Sequence, residues 1–194
     1  MKIGIFGGSF NPPHLGHLQI ALESIEQGYV DRVIFVPTGD LYSKPDLASA
    51  KDRYQMLLLF TEGYPFFEVS DYEVRNGRKY TYQTLQHFQK KYPSSKLYFL
   101  MGMDNLLEFP TWKEARWMLR EYHLLVTARD GTGYEDLQKK YETYDTVCFT
   151  SIKTLPISSS QIRADGKLGF ANTSSYLVPK ELRYIKEKHL YQDL

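Results

Sequence analysis

A chain of 194 residues is long enough for one α/β domain with a sizeable core and short for two. A net charge of +1 excludes the long-range pull of a nucleic-acid or membrane-binding surface, so any anion must be bound locally. The single cysteine, Cys148, excludes an internal disulfide, and no apolar run approaches the ~18 residues of a membrane span.

Residues 2–6 read as a short buried strand starting almost at the N-terminus. Gly7-Gly8 then lets the backbone come close to a ligand, and Pro12-Pro13 fixes the exit of the loop. A helix follows, with Leu18, Ala21, Leu22 and Ile25 on a core-facing stripe. His14 and His17 stand three apart at its opening, so both can face one side. Residues 32–37 form a second buried strand, parallel to the first because a helix connects them. The polar stretch 38–48 is a loop at the carboxyl end of that strand and carries Lys44.

Residues 49–61 predict a helix with Tyr54, Leu57 and Leu58 on one face, and 66–69 a strand. Residues 72–75 continue as extended chain into an Asn76-Gly77 turn. Thr81 is the expected N-cap of a helix bearing Tyr82, Leu85, Phe88 and Tyr92. A buried strand at 96–101 ends at Gly102-Met103-Asp104, and a helix is expected over 111–120. A strand at 123–128, a loop at 129–131, a helix at about 134–141 and a short strand at 146–150 come next. The serine run 158–160 supplies an N-cap, with Arg163 one or two turns into the new helix, and Pro179 opens the last one, burying Leu182 and Ile185. The alternation is that of a doubly wound, mostly parallel, Rossmann-like α/β sheet in one domain, residues 1–194.

A glycine loop between a strand and a helix N-terminus is where such a protein holds an anion, since unpaired N–H groups and the helix dipole converge there. Two imidazoles beside it can donate to phosphate oxygens. They do not form the H-E-x-x-H zinc pattern, and no cysteine pair accompanies them. Laid side by side, the strand ends are expected to gather residues 7–17, Lys44, residues 102–104 and the helix start at Ser158 into one phosphate-binding cleft. Such a cleft suits nucleotidyl transfer, which needs positioning and charge stabilisation rather than a covalent nucleophile. Neither a Walker loop nor a G-x-G-x-x-G fingerprint occurs.

The run Gly7-Gly-Ser-Phe-Asn-Pro-Pro-His-Leu-Gly-His17 resembles the signature of the H-x-G-H nucleotidylyltransferase superfamily. Ile157-Ser-Ser-Ser-Gln-Ile-Arg163 is similar to that superfamily's I-S-S-T-x-I-R motif, with Ser160 for threonine. The stretches 80–84 and 97–113, with Gly102, Asp104 and Trp112, are similar to the Y-T-x-x-T and G-x-D…W segments of the bacterial nicotinate-nucleotide adenylyltransferases. This resemblance implies AMP transfer from ATP, with Mg²⁺, to nicotinate mononucleotide. It implies ATP binding by Gly7, Gly8, Ser9, Phe10, His14, His17 and Lys44, with His17 and His14 catalytic. Ser158 and Arg163 would hold the outer phosphates, and Gly102 and Asp104 the ribose side. Trp112 would stack on the pyridine ring and the backbone at Thr81 would meet its carboxylate, with Tyr82 also binding nicotinate mononucleotide.

The chain departs from the family at Asn11, where aspartate is usual, and at residues 40–44, where P-P-H-K is common. Rival readings are a nicotinamide-mononucleotide or phosphopantetheine adenylyltransferase, or a nucleotide-binding module without chemistry. The expected protein is cytoplasmic, without a signal peptide, and acts on small molecules without nucleic-acid or membrane partners; a homo-oligomer is compatible with this sequence.

Overall fold

A computed structural model describes residues 1–40, 46–128 and 134–192. The elements are β1 (Lys2–Gly8), α1 (Leu15–Glu26), β2 (Arg32–Pro37), α2 (Ala50–Thr61), β3 (Phe67–Val69) and α3 (Tyr72–Asn76). Then come α4 (Thr81–Lys91), β4 (Lys96–Gly102), α5 (Met103–Glu108), a 3-10 turn (Phe109–Thr111), α6 (Ala115–Glu121) and β5 (His123–Ala128). The chain ends with α7 (Tyr134–Tyr141), β6 (Val147–Lys153), α8 (Ser159–Gly166), a second 3-10 turn (Ser174–Tyr176) and α9 (Pro179–Glu187).

The strands form one sheet in the order β3-β2-β1-β4-β5-β6. β1 pairs in parallel with β4, β4 with β5 and β5 with β6, with Ile3 opposite Leu97 and Phe99 opposite Leu124. The doubly wound sheet expected from the strand–helix alternation is the one found. Its apolar runs are near-continuous because a parallel sheet is covered on both faces. The order reverses at the β1–β4 pair, the switch point beside which open α/β sheets take their ligands.

Four local expectations are corrected. Residues 72–75 are not extended: α3 forms one helical turn there, with the Tyr72 N–H donating to Ser70 Oγ and the Asn76 side chain to the Tyr72 carbonyl. These side-chain bonds outweigh the strand preference of Tyr and Val. Tyr80, not Thr81, occupies the cap of α4, because Gln83 reaches back to accept from the Tyr80 N–H at 3.0 Å. The helix expected over 111–120 is broken into α5, a 3-10 turn and α6. Pro110 sits in that turn and Glu114 takes a left-handed φ of 60°, so no single helix can run through. On α2 the buried face is Arg53, Met56, Leu57 and Phe60, while Leu58 is exposed and Tyr54 half-buried.

The described residues group into two compact, sequence-interleaved units. The first holds residues 1–7, 20–34 and 79–154, and its core is the buried strand residues Ile3, Ile5, Leu97, Phe99, Leu124 and Val126 with Leu85, Phe88 and Met118. The second holds residues 8–19, 35–78 and 155–194. Its core packs Met56 of α2 with Ile157, Ile162, Phe170, Leu177, Ile185 and Tyr191. Leu182 contributes only from the edge of that cluster. Asp165 locks the turn after α8: its carboxylate accepts four hydrogen bonds, from the backbone and side chains of Asn172 and Thr173. Burial alone would raise its pKa, but those bonds outweigh it and hold the carboxyl below its ordinary value.

Glu181, in the first turn of α9, is 0% exposed. Its Oε2 accepts from the Val178 N–H at 3.3 Å and its Oε1 has no hydrogen-bond partner. Burial pushes this carboxyl well above the ordinary glutamate pKa, with the Val178 bond opposing it only in part. Because the folded chain holds this proton more tightly than the unfolded one, the stability it contributes is full below about pH 4.3 and is lost as pH rises through the folded value. Glu181→Gln removes the titration. The difference in Tm, variant minus parent, should therefore grow more positive from about pH 4 to about pH 8. A difference independent of pH would show that Glu181 ionises as it does in water.

Candidate functional site

The β1 strand continues through Gly7 and Gly8, two residues beyond the expected end, and the Gly8 carbonyl accepts from the Thr38 N–H. Beyond it Phe10 takes a left-handed φ of 47° with its ring 2% exposed. That ring meets Phe35 edge-on at 5.8 Å and His17 at 5.1 Å. A buried non-glycine residue in this conformation persists only where packing over-determines it. The Asn11–Pro12 peptide is cis.

The start of α1 explains the histidine spacing. The His14 carbonyl accepts from the His17 N–H at 2.8 Å, and the His14 N–H donates to His17 Nδ1 at 3.1 Å. His17 thus plays at the third helical position the part that Glu or Gln plays in a capping box. The bond makes Nδ1 an acceptor, so a neutral His17 carries its proton on Nε2. The two rings lie 3.8 Å apart between centroids, tilted by 39°. Gly16 makes this possible: a Cβ there would lie 3.0 Å from two atoms of the His14 ring. His14 is buried at 4% exposure, and His17 is half-buried.

The loop between β1 and α1 is held by polar ties that sequence reasoning missed. Arg53 of α2 is 0% exposed and donates five hydrogen bonds. They reach the carbonyls of Ser9, Thr38 and Ala48, the Thr38 hydroxyl and the Asp40 carboxylate at 2.6–3.3 Å. Burial lowers the pKa of this guanidinium and the Asp40 carboxylate raises it back in part. Asp40 also accepts from the Ala50 N–H, joining the cap of α2 to the same cluster. Asn11 is 4% exposed, and its amide donates to the Asp46 carbonyl while Oδ1 accepts from the Ala48 N–H. An ionised aspartate could only accept here, whereas the amide donates and accepts, so Asn11 serves the loop.

The start of α8 is tied to the same loop. Ser159 Oγ donates to the Pro12 carbonyl at 2.8 Å, and Arg163 donates to the Asn11 carbonyl at 2.8 Å. The other Arg163 nitrogen reaches Ser160 Oγ at 3.3 Å. Ser158 is the N-cap, as expected, and forms a reciprocal capping box with Gln161. Of the anticipated site residues, Gly8, Ser9, Phe10, His14, His17, Ser158 and Arg163 belong to this one unit. These seven residues bring together two helix N-termini, two imidazoles and one guanidinium. Lys44 lies outside the described residues, as does the anticipated loop 129–131.

The remaining anticipated residues, Gly7 among them, fall in the other unit. Gly102 caps α5, and Asp104, exposed in its first turn, favours the positive end of that helix. Trp112 is half-buried in extended backbone, its ring 6.1 Å from Phe99 and 5.4 Å from Phe109. Thr81 is the first helical residue of α4, so its N–H points from the helix start. Tyr82 stacks on Tyr80 and meets Trp117 edge-on. Lys113 Nζ lies 5.4 Å over the Tyr80 ring, which brings the residue after Trp112 to the start of α4. Among the described residues no group of three or more His, Cys, Asp or Glu could hold a metal ion, and no helix is long and apolar enough to cross a membrane.

Residues 5–165 match the model of the cytidylyltransferase-like family. A protein of Clostridium novyi named "Probable nicotinate-nucleotide adenylyltransferase" is 38% identical over 98% of this chain and 99% of its own. A Neisseria meningitidis serogroup B protein of the same name is 36% identical over 98% of each. The solved Plasmodium falciparum nicotinic acid mononucleotide adenylyltransferase, complexed with NaAD, has a TM-score of 0.80 at 20% identity, covering 98% of this chain and 97% of that one. A second structure of that protein, complexed with APC, gives 0.79 at 21%, covering 98% and 96%. At such identities this likeness shows the shared fold.

Arg53→Lys tests the polar cluster. Lysine keeps the charge but offers three donors from one point instead of a planar fork. Carbonyls left without a donor cost about 1–3 kcal/mol each, so we expect urea unfolding to show a loss of at least about 2 kcal/mol. A loss under about 0.5 kcal/mol, the size typical of surface changes, would mean that the guanidinium bonds are dispensable.

Proposed function

Because the chain belongs to the nicotinate-nucleotide adenylyltransferases of the cytidylyltransferase-like family, we propose that it transfers AMP from ATP to nicotinate mononucleotide. An oxygen of the mononucleotide's phosphate attacks the α-phosphorus of ATP in line. The bond from that phosphorus to the bridging oxygen breaks, pyrophosphate leaves, and deamido-NAD forms without a covalent enzyme intermediate. The product is a dinucleotide of NAD biosynthesis, and the reading places the enzyme in the cytoplasm, where ATP is at hand.

The observation that carries this reading is the helix start at His14–His17. The bond from the His14 N–H fixes His17 as an Nε2 donor beside the first-turn amides of α1. A donor and a helix dipole in place before the reaction stabilise charge as it develops on the transferred and leaving phosphates. The first turn of α8, with Ser158 at its cap and Arg163 one turn in, takes the outer phosphates, and Lys44 adds a point charge. Gly102 and Asp104 take the ribose side. When bound with the triphosphate, whose oxygens are its usual ligands, Mg²⁺ would neutralise phosphate charge. No residue here is assigned to hold it.

For the acceptor, Trp112 offers a ring face to the pyridine, held by Phe99 and Phe109. The Thr81 N–H at the start of α4 meets the ring's carboxylate beside Tyr82. No acidic residue lies in the first turn of α4, and Lys113 adds positive charge at Tyr80. A charge-assisted bond is roughly twice as strong as a neutral one, so the acid is preferred to the amide.

Product analysis after offering ATP-Mg²⁺ with each acceptor tests the reading. Deamido-NAD and pyrophosphate should form, with kcat/KM higher for nicotinate mononucleotide than for the nicotinamide form. Equal rates would overturn the assignment at Thr81, and no dinucleotide with either acceptor would overturn the activity. His17→Ala should lower kcat by about 10²–10³, the usual cost of one such donor, with ATP binding little changed. Near-parental turnover in that folded variant would remove His17 from the chemistry.

A further inference from the structure

Asn11, three residues before His14, carries a further bond on its buried amide. Tyr191, in the segment after α9, donates its hydroxyl to Asn11 Oδ1 at 2.8 Å. The same oxygen accepts from the Ala48 N–H at 3.0 Å. The Asn11 carbonyl is taken by Arg163, and its amide nitrogen by the Asp46 carbonyl. Side chain and backbone of one loop residue are thus held from three directions, and two of the holders come from the C-terminal part of the chain.

Tyr191 is itself held in place. Its ring is 6% exposed in the core with Met56, Ile162 and Ile185. Its backbone takes a left-handed φ of 65°, and its carbonyl passes so close to Gly166 that any Cβ there would collide with it. A phenol packed this way has its hydroxyl aimed. Burial, with the nearby Glu181 carboxyl, pushes its pKa far above the ordinary tyrosine value, so it remains a donor across the physiological range.

We infer that Tyr191 is a positioning residue for adenylyl transfer: through Asn11 it sets the loop that places His14, and through the His14 N–H it sets the His17 ring. The hydroxyl touches no substrate. Its influence runs Tyr191–Asn11–loop–His14–His17, each link a bond or a short stretch of chain within one compact unit. Core packing by the ring would stabilise the fold without needing the hydroxyl. The hydroxyl adds the register of the loop, and a displacement of about 1 Å at a reacting group can cost up to 10²-fold in rate.

Tyr191→Phe in the full chain separates ring from hydroxyl. This rests on the adenylyl-transfer reading for its kinetic arm alone. We expect kcat to fall roughly tenfold well below the melting temperature, within the range a small misplacement costs, with KM for nicotinate mononucleotide unchanged. Asn11→Ala should lower kcat at least as much, and the double variant should be no worse than Asn11→Ala alone. The second arm needs no reaction: the ring ¹⁵N signals of His17 should report an Nε2–H tautomer in the parent and shift toward a mixture in Tyr191→Phe. Should Tyr191→Phe not fold, Asn11→Leu, similar in size but without an acceptor, removes the bond from the other side and carries the same expectations. Parental kcat together with unchanged His17 signals would overturn the inference and leave Tyr191 a core residue. Absence of product from the parent, with the signals shifting as expected, would overturn the activity and leave the positioning link standing.

Discussion

A single buried cation organises the second unit. Arg53 has no exposure, yet it spans the carbonyls of Ser9, Thr38 and Ala48 and the carboxylate of Asp40. Those groups lie where β1 and β2 end and where α2 begins, so one side chain determines how the loops leave their strands. Burying a guanidinium is unfavourable unless its donors are satisfied, and here five bonds satisfy them. The reverse also holds: without Arg53 the carbonyls it takes would be buried without a donor. A planar fork is the side chain that can bind several acceptors in fixed directions.

On that frame the loop before α1 can be irregular and still be rigid. Phe10 sits at a positive φ because its ring is enclosed by Phe35 and His17. Asn11 is held by its amide, and Pro12 by Ser159. The helix that follows then opens with two histidines already arranged, one capping and one accepting its N–H. Catalysis by fixed donors depends on groups that need no rearrangement when charge appears. The loop's polar ties hold the histidine pair in one arrangement, and Gly16 leaves room for the His14 ring. In the other unit the same economy appears in aromatic form, with Trp112 held by Phe99 and Phe109 in extended backbone between a 3-10 turn and α6.

Much of the fold was legible because its signals are local. β2 runs over the anticipated residues 32–37, α8 is capped by Ser158, and α9 opens on Pro179. Buried apolar runs, a serine cap and a proline at a first helical position each act within a few residues of themselves. The errors fell where distant or short-range polar bonds competed with propensity. At residues 72–75 the Ser70 and Asn76 side chains turned a strand-like run into one helical turn. At α4 a glutamine three residues on moved the cap from Thr81 to Tyr80. At residues 111–120 the left-handed Glu114 broke the single helix that was expected.

The candidate site divides in the same way. Its chemistry-bearing residues, the glycines, the histidine pair, Ser158 and Arg163, are recognisable in the sequence because phosphate binding at a helix start needs those residue types at those spacings. The sequence by itself therefore determined the fold class and the family, and it singled out the groups proposed to meet a polyphosphate. Only the tertiary structure decided what holds them. Arg53 reads as one more cation on a helix, Asn11 as a substituted aspartate and Tyr191 as one aromatic among many, until α2, α8 and the C-terminal segment are brought to one loop. A hydrogen bond between residues 11 and 191 leaves no periodic trace in either neighbourhood, because its geometry arises from the packing of elements that lie far apart in the chain.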